Sequence, residues 1–196
     1  MEIRFKCKKC NKENIIEVDD EIDITGNKNL LTELLNSDYF KHKCAYCDED
    51  NLIIYPLLIK DSFHKFYIRL NPENKKLVLV DTQETYKIRI VKDLNELSEK
   101  LRIFNSFLDD EYIESIKYQI KKDLEEHNDN LKIDNIYFYK VEKGFLYFIL
   151  FDKENYLGSM KYNVAGYFKL EEKFKDKINK LEQVIDEDYI IRNKLF

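Results

Sequence analysis

Glycine and proline are scarce in this chain, which has 4 Gly and 2 Pro among 196 residues. Their scarcity excludes a glycine-rich linker, a collagen-like repeat and a mucin-like stalk, since each of these needs one or both residues at high frequency. Hydrophobic residues make up 44% of the chain, which excludes a wholly disordered protein. The composition therefore indicates a folded chain of one ordinary domain or two small ones.

Long apolar segments are also missing. Residues 1–16 carry charges throughout and contain no apolar stretch of the about 7–15 residues that a secretory signal needs. The densest apolar run, residues 145–151, is far shorter than the roughly 18 residues of a membrane span. We therefore expect a cytoplasmic protein that does not enter a membrane. In that reducing compartment, paired cysteines are more often metal ligands or redox centres than structural disulfides.

The chain has no excess of positive charge and no familiar catalytic motif. Its 33 basic and 38 acidic residues give a net charge of −5, which disfavours binding to a polyanion. It contains no phosphate-binding glycine loop, no dinucleotide fingerprint, no H-E-x-x-H zinc motif and no G-x-S-x-G elbow. We therefore assign no catalytic residue and no organic cofactor.

The three histidines of the chain are candidate site residues. His42 lies two residues before a cysteine, but we expect a hydrogen-bonded strand histidine there rather than a metal ligand. His64 lies in a loop near Asp61 and Ser62, without the order of a catalytic triad. His127 is expected at the end of a helix, where its charge suits the helix dipole.

Apolar periodicity predicts an α+β fold. Short strands flank the cysteines, and further antiparallel strands follow as far as residue 91. Because Pro56 cannot donate to a sheet ladder, the strand expected at residues 52–59 is an edge strand, or is bulged or broken at that residue. Leu30, Leu31, Leu34 and Leu35 predict one helix, and a change of period predicts helices over residues 94–108 and 112–126. Beyond them the pattern predicts an aromatic-rich hairpin (residues 136–141 and 145–151), a strand (residues 162–170) and a helix (residues 174–185).

The polar stretch at residues 125–135 suggests a boundary. We expect residues 1–125 to form a zinc-binding domain. Residues 126–196 would form a C-terminal α+β region, either separate or packed into the same unit. Strand 145–151 is apolar on both faces and is therefore expected to lie at the centre of a sheet.

The four cysteines carry the strongest signal. They form two C-x2-C pairs, Cys7 with Cys10 and Cys44 with Cys47, with 33 residues between the pairs. Two residues between thiolates allow one tight turn to direct both sulfurs at a single ion, and two such turns complete a tetrahedron, as in a zinc ribbon with two knuckles. We predict one structural Zn²⁺ held by all four cysteines. Iron in the same site, a redox dithiol and unliganded thiols remain alternatives.

Several lysines lie close to the cysteines. Four thiolates and Zn²⁺ have a formal charge of −2, which nearby lysines can offset; these are Lys6, Lys8, Lys9, Lys12, Lys41 and Lys43. The alternative is a phosphate-binding patch of a nucleic-acid-binding ribbon. The adjacent acidic residues 48–50 argue against that alternative.

Taken together, these features resemble the CpXC family over roughly residues 1–125. The resemblance rests on both cysteine pairs, the leucine-rich helix between them, Pro56-Leu57-Leu58, Asp61 and Lys65-Phe66. Lys8 and Ala45 stand where the family has proline, and Asn11 and Asp48 stand where a glycine often follows; Asn and Asp tolerate the left-handed conformation that such a turn needs. The resemblance implies a zinc site and no reaction. We therefore expect a non-enzymatic module that binds an unidentified protein partner, with an unrecognised enzyme, a C-x2-C redox protein or a nucleic-acid-binding ribbon as alternatives.

Overall fold

The structure is a computed structural model that describes residues 1–75, 79, 86–128, 131–178 and 181–196. These residues form two compact units, Met1–Ser98 and Glu99–Phe196. Both contain helices and strands, so the predicted α+β class is confirmed. None of the helices in the described ranges has the length and apolar character needed to cross a bilayer.

The described strands of the first unit form three small sheets. The strands are β1 (Glu2–Lys6), β2 (Glu13–Glu17), β3 (Glu21–Asp23), β4 (Lys41–Lys43), β5 (Asp50–Leu52), β6 (Leu57–Asp61), β7 (Phe66–Leu70) and β8 (Lys87–Val91). Two sheets are two-stranded antiparallel hairpins, β1 with β2 and β4 with β5, and the third is a four-stranded sheet in the order β3-β6-β7-β8. Its central pair is antiparallel, whereas β3–β6 and β7–β8 are parallel.

The core of the first unit lies on the four-stranded sheet. Alternate residues of β6 and β7 are fully buried: Leu57, Ile59, Phe66, Ile68 and Leu70. Helix α1 (Lys28–Leu35) is capped at its N-terminus by Asn27, whose side chain accepts a hydrogen bond from the backbone N–H of Leu30 at 3.1 Å. Of the alternatives predicted at Pro56, the structure shows a break, since β5 ends before it and β6 begins after it. The sequence pattern also predicts a strand at residues 77–80, of which only residue 79 lies among the described residues.

Helix α2 (Leu94–Asn105) crosses the boundary between the units, and α3 (Asp110–His127) lies wholly in the second. Helix α3 packs against α4 (Val164–Phe174), α5 (Glu187–Asn193) and β9 (Asn135–Glu142). The first unit therefore ends earlier in the chain than the expected boundary at residue 125. Independent folding of residues 1–125 stays a prediction.

The second unit contains a three-stranded antiparallel sheet in the order β11-β10-β9, with β10 (Phe145–Asp152) and β11 (Asn155–Asn163). The predicted aromatic hairpin and the central position of its second strand are confirmed. Lys143 and Gly144 form the turn with φ of 50° and 78°, the left-handed pair that a two-residue hairpin turn requires. One face of β10 is buried through Leu146, Phe148 and Leu150.

Two elements near the C-terminus differ from prediction. The strand expected at residues 162–170 is wrong beyond residue 163, because Asn163 caps α4 by accepting a hydrogen bond from the N–H of Ala165 at 2.8 Å. Tyr167, Leu170 and Phe174 then share the buried side of that helix. The helix expected at residues 174–185 is also wrong: α4 ends at Phe174, and α5 begins after the cap residue Asp186.

The core of the second unit also contains a network of charged side chains. The Lys100 ammonium lies 2.8 Å from the Asp110 carboxylate and 3.4 Å from that of Glu114, and it donates to the Ile185 carbonyl oxygen at 3.1 Å. Burial opposes the charge of Lys100, but the carboxylates of Asp110, Glu114 and Glu99 outweigh it and raise its pKa. The network therefore holds a charged lysine inside the fold.

A second lysine completes the network. The Lys117 ammonium contacts the carboxylates of Glu99 at 2.9 Å and Glu114 at 3.0 Å. The other oxygen of Glu99 accepts a hydrogen bond from the backbone N–H of Phe138 at 2.6 Å. Burial raises the pKa of Glu99 even though Lys117 opposes that shift. Two helices and a strand are thereby joined by buried polar contacts, which the apolar pattern of α2 and α3 did not predict.

Candidate metal centre

Two short hairpins position the cysteines. Each C-x2-C pair lies in the turn of an antiparallel hairpin, the first between β1 and β2 and the second between β4 and β5. In the first turn, the Cys7 N–H donates to the Lys12 carbonyl at 3.0 Å, and the Asn11 N–H donates to the Cys7 carbonyl at 3.0 Å. The second turn repeats both bonds: the Cys44 N–H donates to the Glu49 carbonyl at 2.9 Å, and the Asp48 N–H donates to the Cys44 carbonyl at 3.0 Å. The two knuckles therefore share one local backbone structure.

The residue after each pair has the left-handed conformation. Asn11 has a φ of 60° and Asp48 a φ of 56°, a region that Asn and Asp adopt more readily than other side-chain-bearing residues. Both turns thus close without glycine, as the sequence predicted for these two positions.

The four sulfur atoms form one cluster. All of them lie within 4.8 Å of one another, and two close approaches join different knuckles, Cys7 to Cys47 at 3.7 Å and Cys10 to Cys44 at 3.6 Å. A regular tetrahedron with Zn–S bonds of about 2.3 Å has S···S edges of about 3.8 Å. The cluster has the size and ligand chemistry of a tetrathiolate site, so all four predicted residues are brought together and can hold a metal ion.

Hydrogen-bond donors surround the two buried sulfurs, those of Cys7 and Cys44, which are fully buried. The backbone N–H groups of Cys10 and Lys9 lower the pKa of the Cys7 thiol to about 6, although burial opposes them. For Cys44, burial is outweighed by donors that include the Tyr46 N–H, and its pKa is also lowered. At these two cysteines the protein thus favours thiolate, the form that binds metal.

The pKa of the Cys47 thiol is shifted in the opposite direction. The backbone N–H of Glu49 lowers the pKa of Cys47, but burial and the neighbouring cysteines together raise it to about 12. Thiolates crowded this closely repel one another, which disfavours ionisation of the last of them. A divalent ion held by the four sulfurs would relieve this repulsion.

The lysines around the knuckles are partly engaged elsewhere. The ammonium groups of Lys8 and Lys9 lie 3.3 and 3.4 Å from the two carboxylate oxygens of Glu49, and these contacts lower the pKa of Glu49. The Lys12 ammonium lies 4.5 Å from the centre of the Tyr46 ring, within cation–π range. Glu49 thus reduces the positive charge available for phosphate.

Sequence reasoning missed two asparagines at the centre. Asn14 is 5% exposed and Asn51 is 3% exposed, and each donates towards a cysteine sulfur of the opposite knuckle. A repeated spacing could have revealed them. Each knuckle reads C-x2-C-x3-N, with Cys7, Cys10 and Asn14 in the first and Cys44, Cys47 and Asn51 in the second.

His42 lies in β4 and not in the sulfur cluster. Its ring centre is 6.1 Å from that of Tyr55, and burial lowers its pKa. Its Nε2 atom is buried and makes no hydrogen bond within the described part of the chain. The prediction of a strand histidine is confirmed, whereas the expectation that it is fully hydrogen-bonded is wrong at that nitrogen.

His64 and Asp61 are paired in the turn between β6 and β7. The Nδ1 atom of His64 lies 2.8 Å from the Asp61 carboxylate, which also accepts hydrogen bonds from the N–H groups of Phe63 and His64 at 2.8 and 3.0 Å. These bonds order the turn. The third histidine, His127, ends α3 as predicted, with Nδ1 2.6 Å from the Asp123 carbonyl oxygen.

The comparisons with known proteins agree with this geometry. The family model of the CpXC protein matches residues 5–117, more than half of the chain and the part that contains all four cysteines. No curated protein and no solved structure matches the chain. The matched segment and the clustered cysteines support one conclusion: this chain belongs to the CpXC family.

Proposed function

We propose that this CpXC protein is a non-enzymatic protein-interaction module whose first unit is stabilised by one structural Zn²⁺ held by Cys7, Cys10, Cys44 and Cys47. The observation that carries the proposal is the approach of all four sulfurs to within 4.8 Å of one another. Four thiolates are ligands that zinc and iron prefer over magnesium or calcium. With four protein ligands, zinc has no position left for a substrate, so its role is structural.

The arrangement of the sulfurs also disfavours a redox dithiol. A catalytic C-x2-C needs an exposed thiolate and a resolving partner within the same motif. Here close sulfur contacts run between the motifs, at 3.7 and 3.6 Å, and the first cysteine of each motif is fully buried. A zinc ion bound to all four thiolates leaves no free nucleophile.

We therefore expect the protein purified from its native cells to contain one zinc per chain and to be colourless. Elemental analysis and an absorption spectrum measure both properties, and a disulfide-reductase assay should give no activity above buffer. A red protein containing iron would contradict the proposal and favour electron transfer, because four thiolates also bind iron.

The partner-binding part of the proposal is supported by the exposed end of the knuckles. Tyr46 is 59% exposed and lies beside Lys12. Tyrosine is enriched among residues that dominate binding energy at protein interfaces. A tyrosine held in the rigid turn of a metal site loses little conformational entropy when a partner binds.

Affinity purification from native cells, with Tyr46→Ser compared with the wild type, tests this role. We expect a protein that co-purifies with the wild type to be depleted at least tenfold with Tyr46→Ser, as a hot-spot residue predicts. Phe63→Ser is the matched control, since Phe63 is 67% exposed in the same unit and should retain the partner. Capture of a small molecule, with equal recovery of co-purifying protein from the wild type and both variants, would instead favour an enzyme.

A further inference from the structure

We propose that Asn14 and Asn51 are positioning residues for the metal. Each side chain accepts a hydrogen bond from the backbone of the opposite knuckle and donates a hydrogen bond to the buried sulfur of that knuckle. The inference rests on the proposed metal-binding function and extends it beyond the four cysteines. It is drawn from the reciprocal contacts of the two side chains, which lie at equivalent positions of the repeated C-x2-C-x3-N segment.

The amide oxygens join the two knuckles. Oδ1 of Asn14 accepts a hydrogen bond from the backbone N–H of Ala45 at 2.9 Å. Oδ1 of Asn51 accepts one from the backbone N–H of Lys8, also at 2.9 Å. Ala45 and Lys8 each directly follow the first cysteine of their knuckle, so each bond fixes the turn that carries a buried sulfur.

The amide nitrogens complete the arrangement. Nδ2 of Asn14 donates to the Lys12 carbonyl at 3.0 Å and lies 3.5 Å from the Cys44 sulfur. Nδ2 of Asn51 donates to the Glu49 carbonyl at 2.8 Å and lies 3.7 Å from the Cys7 sulfur. The hydrogen bonds from Nδ2 to these carbonyl oxygens orient each side-chain amide. Its oxygen faces the backbone of the opposite knuckle, and its nitrogen faces the buried sulfur of that knuckle.

Asparagine is suited to this position. It offers an acceptor and two donors on a short, planar group, and all three functions are used here by a buried side chain. Aspartate keeps the acceptor but replaces the donor with a negative oxygen beside a thiolate. Leucine has a similar volume but neither accepts nor donates a hydrogen bond. These two substitutions therefore separate the attachment of the knuckle from the hydrogen bond to sulfur.

Groups that hydrogen-bond to metal ligands typically change metal affinity by about 10–100-fold when they are removed. We expect Asn14→Leu and Asn51→Leu each to raise the dissociation constant for Zn²⁺ by about 10-fold or more. The double variant is expected to bind more weakly than either single variant. One metal ion per chain should still bind, because all four cysteines remain.

The experiment is a titration of the full-length chain with Co²⁺, followed by competition with Zn²⁺ in the presence of a chelator. Co²⁺ reports a tetrathiolate site through its visible and thiolate charge-transfer bands, and loss of a donor to sulfur should shift the charge-transfer bands. Asn29→Leu is the control, because Asn29 is exposed in α1 of the same unit. It should leave both the affinity and the spectrum unchanged.

A second measurement separates the two roles of the amide. In the zinc-loaded protein, hydrogen exchange at the Ala45 N–H should be slow in the wild type and fast in Asn14→Leu. Asn14→Asp should restore slow exchange, because it keeps the acceptor, but should not restore metal affinity, because the donor is lost. The aspartate variant also keeps the test informative if the leucine variant fails to fold.

Leucine variants with wild-type affinity and spectrum would overturn this inference and leave the proposed metal site intact. Full recovery of affinity by Asn14→Asp would overturn the role of the hydrogen bond to sulfur. A wild-type chain that binds no Co²⁺ or Zn²⁺ would overturn the proposed function, and this inference with it.

Discussion

Replacing Cys44 with serine is expected to abolish stoichiometric zinc binding and to lower the melting temperature of the first unit. Structural zinc binds zinc-finger peptides with an apparent free energy of about 10–16 kcal/mol at neutral pH, whereas the net stability of a whole domain is about 5–15 kcal/mol. Loss of the ion should therefore expose apolar residues of the knuckle region and reduce solubility. Elemental analysis and thermal unfolding monitored by circular dichroism measure both effects.

Ala45→Ser is the matched control for this substitution. It introduces the same side chain at the adjacent, exposed position, and its backbone N–H can still donate to Asn14. The control should keep one zinc and the wild-type melting temperature. A variant with all four cysteines replaced by serine that melted at the wild-type temperature would show that the cysteines have no structural role.

Replacing Lys100 with methionine is expected to destabilise the second unit by about 3–5 kcal/mol, because it removes a cation from the buried carboxylates of Asp110 and Glu114. The Lys100 side chain is 5% exposed, and its partners Asp110 and Glu114 are 0% and 8% exposed. Methionine fills a similar volume, so the effect should come from the lost charge rather than from a cavity. Urea denaturation of the full chain, followed by tyrosine fluorescence, gives the change in the free energy of unfolding.

The comparison for this prediction is Lys122→Met. Lys122 lies 3.7 Å from Glu126, and more than half of each side chain is exposed. Such a surface pair contributes about 0–1 kcal/mol, so this substitution should leave the midpoint nearly unchanged. Equal midpoints for the two variants would mean that the network around Lys100 is hydrated rather than buried.

Local chemistry determined which parts of the fold could be predicted from the sequence. The cysteine spacing predicted the cluster, because a two-residue gap fixes the relation of the sulfurs within each knuckle. The hairpin at Lys143 and Gly144 and the break at Pro56 were likewise predictable, because each depends on the backbone preferences of one or two residues.

The features that escaped prediction depend on contacts between distant residues or on competing local signals. Asn14 bonds to Ala45, 31 positions away, and asparagine is common in turns without any such role. Lys100 is charged and resembles a surface residue until α3 supplies its carboxylates. Around Asn163, an alternating pattern and a helical cap overlap, and the cap determines where β11 ends.

The repeated knuckle has a consequence for how members of such a family can differ in length. Every hydrogen bond to the sulfurs described above begins within residues 7–14 or 44–51, two segments of eight residues. The chain between them has to return to the first knuckle, but it supplies no ligand. Insertions and deletions between the two segments are therefore compatible with an unchanged site. This accounts for the 33 residues between the two cysteine pairs, a spacer longer than that of the simplest zinc ribbons.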